Sequence, residues 1–374
     1  MKKFWILTLV LNAVMAASAQ AATIDLGQAA SYNAFIKENF TANTSDTRGS
    51  LAVGGNLIIA PGSGATGGYS IGYGATGTGP SLVVGGDIVK TGDGWLNVHK
   101  NGNNVGDAVY AGKLNVANTQ WGGKPFSANA TKVSVANLPV DFNAAFTHLN
   151  ALSAQLASQT TAATTSKTEI LTFTPAKATA DNVYVFNLTQ EDFNRYQGFN
   201  VQGVNKDALI VFNISNPNKV ASSYTNNATD AAFCQKGEAN CVVFSQKSVY
   251  INGVNAASGT TGTINPSAPL ASKILYNFKD VARLKISSDV YGTILSPKAA
   301  IETNQGVVWG QVIAKSWKGN AEIDPAPLKP PVGTNPPVVS EPPLWAALLL
   351  LVAGLLLSRR RSQPLPAGWN PVAA

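Results

Sequence analysis

Between residues 23 and 324, short runs of β-branched, aliphatic and aromatic residues alternate with clusters of Gly, Asn, Ser and Asp. Brief apolar runs bounded by turn formers predict many short strands joined by tight turns. Several runs recur. Leu51-Ala52-Val53-Gly54-Gly55-Asn56-Leu57-Ile58 returns 31 residues later as Leu82-Val83-Val84-Gly85-Gly86-Asp87-Ile88-Val89. Val290-Tyr291-Gly292-Thr293-Ile294-Leu295 returns 18 residues later as Val308-Trp309-Gly310-Gln311-Val312-Ile313. An aromatic-Asn-apolar triplet stands at Phe186-Asn187-Leu188, Phe212-Asn213-Ile214 and Tyr276-Asn277-Phe278. A spacing of 18 suits one coil of a parallel β-helix, in which each coil covers the apolar face of the last. A β-sandwich with coincidental Val-Gly-Gly turns is the competing reading. The expected fold is mainly β: a right-handed parallel β-helix (β-solenoid) with one long amphipathic α-helix docked alongside.

That helix is expected at about residues 141–159. Phe142, Ala145, Phe146, Leu149, Leu152, Ser153 and Leu156 share one side of a helical wheel, and Asp141 is a suitable N-cap. Its polar side carries Asn, Thr, Ser and Gln without Lys or Arg, so the stripe suits core packing and not a membrane surface. Residues 158–168, rich in Thr, read as a flexible loop.

The two ends read as addresses. Residues 1–22 have the form of a secretory signal peptide: Lys2-Lys3, an apolar stretch, and Ala19-Gln20-Ala21, with cleavage expected after Ala21 or Ala22. Residues 325–343 hold eight prolines and form an expected extended stalk. Residues 344–357 are an unbroken apolar run followed by Ser358, Arg359, Arg360 and Arg361. As a helix this run is ~21 Å long, short of the ~30 Å hydrocarbon core. The arginines stay cytoplasmic and set the rest outside. Residues 362–374 form a short tail. Stalk, short apolar helix and arginines together resemble a PEP-CTERM sorting signal, with Glu341, Pro342 and Pro343 in place of the usual Pro-Glu-Pro. The resemblance implies an exosortase-type processing enzyme as partner and contact with the membrane before processing. A plain tail anchor is the alternative.

Charge adds little. The formal net charge is +7, but Lys2, Lys3 and the three arginines lie in the end segments, which leaves 22 bases against 20 acids between them. Nucleic-acid binders concentrate a basic face, so no nucleic-acid partner is expected. Cys234 and Cys241 are the only cysteines, and in an exported chain a disulfide is the default. His99, in an expected polar turn, and His148, at the margin of the helical stripe, have no ligand-spaced companions, and no hydrolase or phosphate-loop motif occurs. No catalytic residue, cofactor or metal is expected. Asp87, Asp93, Asn97, Asn101, Asn103, Asn104 and Asp107 form an oxygen-rich stretch, which turn chemistry explains without calcium.

Asp25-Leu26-Gly27-Gln28-Ala29-Ala30-Ser31-Tyr32-Asn33-Ala34-Phe35, Ser45-Asp46-Thr47-Arg48-Gly49 and Val53-Gly54-Gly55-Asn56 resemble the start of a choice-of-anchor A domain. Leu82 to Asp87, Ile274 to Phe278, Gly292 to Ala299 and Gly310 to Lys315 match its later marks in order, so the resemblance spans about residues 24–324. It implies a surface adhesin without established catalytic activity. The expected function is accordingly a non-enzymatic adhesive or structural role at the cell surface or in the matrix, with polysaccharide or cell-surface matrix as the partner. Trp95 and Trp121 are candidate sugar platforms, with core or turn packing as the alternative role. Two other functions compete. An ice-binding solenoid would use Thr-x-Thr pairs, found at Thr76/Thr78, Thr172/Thr174 and Thr261/Thr263. A carbohydrate-active enzyme would need carboxylates that pair only in space.

Overall fold

The computed structural model describes residues 24–329, apart from 65–66, 117–124, 180, 222–232, 246–247, 260–268 and 305. Short strands wind through three faces in turn. Ala34–Ile36, Phe40–Ala42 and Ser45–Thr47 lie on the first, second and third faces. Leu51–Val53, Leu57–Ile59 and Tyr69–Ile71 repeat the circuit, and Leu82–Val84, Ile88–Lys90 and Leu96–Lys100 repeat it again. Equivalent strands pair in parallel: Leu51 opposes Leu82, and Leu57 opposes Ile88. The 31-residue repeat is thus one coil lying on the next. The 18-residue repeat has the same meaning, with Val290 opposite Val308 and Ile294 opposite Val312. The fold is a mainly β parallel solenoid.

The coils do not stack in chain order. Along the first face the strands run from Ala130–Lys132 through Ala108–Tyr110, Leu82–Val84 and Leu51–Val53 to Ala34–Ile36. The face then continues through Val312–Gly319, Thr293–Thr303, Ile274–Asn277, Leu209–Ser215 and Val183–Thr189. The last coil therefore sits on the first, joined on all three faces by Ala34 opposite Val312, Phe40 opposite Trp317 and Thr47 opposite Ile323. Helix α1 (Phe142–Ala157) carries the chain to the far end of the stack. Its Phe142 and Phe146 rings stack on Phe35 at 5.4 and 5.5 Å, and its Leu156 carbonyl accepts from Asn213. Phe35 and Asn213 lie four strand spacings apart, ~19 Å. The helix rises ~21 Å from Phe142 to Leu156. Its length matches the distance the chain must cover before the second half can grow back.

Asp141 caps this helix, accepting from the Ala144 amide at 3.0 Å, and Ala145, Phe146, Leu149, Leu152, Ser153 and Leu156 are buried. Beneath it the first-face strands are apolar on both sides. Val185, Val211, Leu275, Leu295, Ile313 and Phe35 meet the helix, while Tyr184, Phe186, Ile210, Phe212 and Tyr276 fill the solenoid core. Double burial removes the alternation that one exposed side would impose.

The triplets now have a role. Phe186, Phe212 and Tyr276 form an inner column with ring centroids 6.2 and 5.9 Å apart. Asn187, Asn213 and Asn277 form an outer ladder, in which Asn213 donates to Asn187 Oδ1 at 3.0 Å and Asn277 donates to Asn213 Oδ1 at 2.8 Å. The ladder also holds the helix, because Asn277 donates to the Ser153 carbonyl and accepts from its hydroxyl. A second ladder runs along a corner. Asn39, Asn56 and Asp87 accept from the amides of Asn56, Asp87 and Lys113 at 2.9, 2.8 and 2.6 Å. Glycine is required beside it: a Cβ on Gly86 would lie 2.2 Å from Asn56 Oδ1.

Two expectations are corrected. Within residues 158–168, Ala163–Lys167 is a strand antiparallel to Ile170–Pro175, because β-branched Thr extends readily once a partner strand is present. His99 lies in the strand Leu96–Lys100 and is 4% exposed, not in a polar turn. The stacked neighbour Ile71 and the core-facing Leu96 and Val98 commit that segment to the sheet.

Candidate functional site

The three faces offer different chemistry. The first is covered by α1 over much of its length. On the second, Val243, Lys285, Glu302, Lys318, Thr41, Ile58, Val89 and Asn115 stand in one register row of mixed charge and hydrophobicity. The third-face strands between α1 and residue 255 form a separate five-stranded sheet: Ala163–Lys167, Ile170–Pro175, Gly198–Val201, Ser248–Ile251 and Val254–Asn255.

In this sheet Leu171, Phe173, Phe199, Val201, Val249 and Ile251 point into the core, and Phe173 stacks on Phe186 at 4.6 Å. Alternation places Ile170, Thr172, Thr174, Asn200, Ser248 and Tyr250 on the outer side. The antiparallel edge strand adds Thr164 opposite Thr174 and Ser166 opposite Thr172. One row therefore reads Ser166, Thr172, Asn200, Tyr250, Asn255 across all five strands. Neighbouring members are one strand apart, ~4.8 Å. No carboxylate, ammonium or guanidinium occupies the row. Asn200 is 8% exposed, and its Oδ1 accepts no hydrogen bond from the described residues. This surface can exchange hydrogen bonds with a regular, uncharged partner, and Tyr250 adds an aromatic face.

The remaining third-face coils, nearer the N-terminal end, are chemically distinct. Where the last coil meets the first, Arg48 pairs with Glu322 at 2.5 Å and with Asp324 at 3.0 Å. Burial, with Glu322 beside it, pushes the Asp324 carboxyl up to about 7, and burial likewise raises Asp46. These are the carboxylates that the fold brings together. Asp324 is 3% exposed and the cluster is held by Arg48, so it serves as an internal link between coils. Asn33 and Gln311 reinforce the same seam. Asn33 donates to the Gly310 and Asp324 carbonyls, and Gln311 donates to those of Ala29, Ala30 and Tyr32. Farther along, burial lowers the pKa of His99, whose ring meets Tyr73 edge-on.

Other expected residues are dispersed. Cys234 and Cys241 are joined by a disulfide with Cα atoms 5.6 Å apart, under the Phe233 ring that also covers Arg283. Asp87 caps Lys113 and Asp93 caps Gly64, so the oxygen-rich stretch is divided among separate turns. Among the described residues no three His, Cys, Asp or Glu side chains converge on a metal position. His148 Nε2 lies 2.7 Å from the Asp25 carbonyl oxygen. Trp95 is 39% exposed at a turn. Of the Thr pairs, Thr172/Thr174 lies on the flat sheet, and Thr76/Thr78 lies in the 72–80 loop. Thr261/Thr263, Trp121, Ala21, Ala22, Glu341, Pro342, Pro343, Arg359, Arg360, Arg361 and the 344–357 run lie outside the described residues. Among those described, no helix is long and apolar enough to cross a membrane. The sequence reading missed Thr164 and Ser166; the signal was the β-branched pair Thr164-Thr165 ahead of Ile170–Pro175.

A family model described as "Putative Ice-binding-like adhesive domain" matches residues 25–325. No curated protein matches the chain. Among solved structures, the chain is similar to an ice-binding protein from the Antarctic ascomycete Antarctomyces psychrotrophicus at 12% identity and TM-score 0.34, covering 81% of this chain and 98% of that one. It is also similar to an ice-binding protein from an Antarctic biological consortium, at 12% identity and TM-score 0.31, covering 81% and 90%. A third similarity is to an ice-binding protein from an Antarctic Flavobacteriaceae bacterium, at 12% identity and TM-score 0.25, covering 80% and 97%.

Proposed function

Since the chain belongs, over residues 25–325, to the ice-binding-like adhesive domain family, we propose that it is a non-enzymatic surface adhesin whose five-stranded sheet contacts exopolysaccharide through its uncharged outer row. The observation that carries this reading is the row Ser166, Thr172, Asn200, Tyr250, Asn255. Hydroxyl and amide groups both donate and accept, and at strand spacing they meet a repeating polyhydroxyl chain without the desolvation cost of a charge. In this reading the exported chain loses residues 1–22. Residues 344–357 and Arg359 to Arg361 retain it at the inner membrane until an exosortase-type enzyme cuts near Glu341-Pro342-Pro343.

The test is retention of the exported protein on the producer's exopolysaccharide, compared with Thr172→Lys/Thr174→Lys and, as a second-face control, Lys318→Thr. Loss with the first variant alone supports the face. Equal retention by all three overturns it. The same Thr rows suit an ordered water layer, so ice binding is the second reading. Thermal hysteresis at micromolar protein, abolished by the double lysine variant, would establish ice as the partner instead.

A further inference from the structure

Where the third face turns into the first, near the seam between the chain's two ends, the coils leave an open cleft of 540 Å³. That is the size of an ordinary small-molecule site. Its walls come from distant parts of the chain: the 3-10 turn Gly27–Ser31, the corner at Ser50, the glycine-rich loop 72–80, the lead into α1, and the segment after the last strand. Gln28, Ser31, Tyr32, Ser50, Thr76 and Thr78 supply its polar groups, and among the described residues no Asp, Glu, Lys, Arg or His lines it, although the Lys100 ammonium donates to the Gly79 carbonyl at the lip at 2.5 Å. The hydroxyls of Ser31, Tyr32, Ser50, Thr76 and Thr78 bond to no other group among the described residues. The floor is different: Asn33 and Gln311 are fully engaged in holding the seam. The site is thus a rigid base under five uncommitted hydroxyls. Gly77 and Gly79 keep the lip thin, with no atom near the position a Cβ would take at either.

We propose that this cleft binds a short neutral sugar, recognising the end or an exposed branch of a glycan. A charged ligand would enter walls that carry no opposite charge, the Lys100 ammonium being engaged at the lip by the Gly79 carbonyl, which is unfavourable once water is displaced. A sugar presents hydroxyls that donate and accept, the same dual character as the five on the walls. Its C–H faces would meet Ala75, Pro80 and Val140. The inference takes its ligand class from the adhesive reading but not its place, because the cleft and the five-stranded sheet share no residue.

The experiment is saturation-transfer NMR on the full chain with glucose, galactose, mannose, N-acetylglucosamine and their β1,4 dimers. Glucuronate and galacturonate serve as charged counterparts. The expected result is binding of at least one neutral sugar, about tenfold tighter than its uronate. Thr76→Val/Thr78→Val should weaken it about tenfold at an unchanged melting temperature. Thr76→Ser/Thr78→Ser should bind as the parent does. The Thr172→Lys/Thr174→Lys variant should also keep sugar binding, whatever happens to polysaccharide retention, so failure of the face and failure of the cleft are separately visible. Absence of neutral-sugar binding, equal binding of uronates, or indifference to the valine pair would overturn the proposal.

Discussion

Replacing Asn277 by alanine tests whether the asparagine ladder holds the helix to the solenoid. Asn277 is 1% exposed, donates to the Ser153 carbonyl at 2.9 Å and to Asn213 Oδ1 at 2.8 Å, and accepts from the Ser153 hydroxyl. Truncation removes all three bonds. It leaves Asn213 Oδ1 and the Ser153 hydroxyl buried without these partners, at about 1–3 kcal/mol each. The expected loss is therefore about 2–6 kcal/mol, a large share of the 5–15 kcal/mol typical of a folded protein. Ser153→Ala strands Asn277 Oδ1 in the same way, so the double variant should cost less than the two singles summed, by about 1–2 kcal/mol. Urea denaturation gives the stabilities, and native-state hydrogen exchange of residues 142–157 locates the effect. Opening of the helix should become easier while the coils around Leu51 and Leu82 remain protected. A loss below about 0.5 kcal/mol, which is ordinary for a surface substitution, would refute the reasoning. Strict additivity of the two changes would refute it equally.

Gly86→Ala places a methyl 2.2 Å from Asn56 Oδ1 and 2.8 Å from the Gly55 carbonyl oxygen; a destabilisation of about 2–4 kcal/mol is expected by thermal melting, against less than about 0.5 kcal/mol for Gly77→Ala, where the space is open. Asp324 is held well above its unfolded value, so the folded state binds the extra proton and stability falls as pH rises from about 4 through 7. Asp46 shifts in the same direction. Melts from pH 4.5 to 8 should show a decline of roughly 1–3 kcal/mol, flattened in Asp324→Asn; a curve unchanged by that substitution would remove the seam from the explanation. Cys234→Ser/Cys241→Ser should lower stability by about 2–3 kcal/mol on the chain-entropy view of a short loop, measured by urea denaturation of the oxidised parent and the variant.

The alternation of short apolar runs with turn residues was enough to specify strands, turns and a β-class fold, because those preferences act within a few residues. Repetition carried more. The 31- and 18-residue spacings survive as strand-on-strand register because each coil must bury its neighbour's side chains. The helix was equally legible, since the 3.6-residue stripe and the Asp141 cap are local properties. The order of the coils was not. Nothing near Ala34 or Val312 says that the last coil lies beside the first; that pairing follows from how far α1 carries the chain along the stack. The aromatic-Asn-apolar triplets were visible as a pattern, yet their meaning needed three parallel strands and a helix end in one place. The uncharged row was hidden for the same reason. Ser166, Thr172, Asn200, Tyr250 and Asn255 come from five strands, and the edge strand that completes the row forms only against Ile170–Pro175. Local sequence sets which residues alternate in and out; only the stacking of coils decides which outward residues become neighbours.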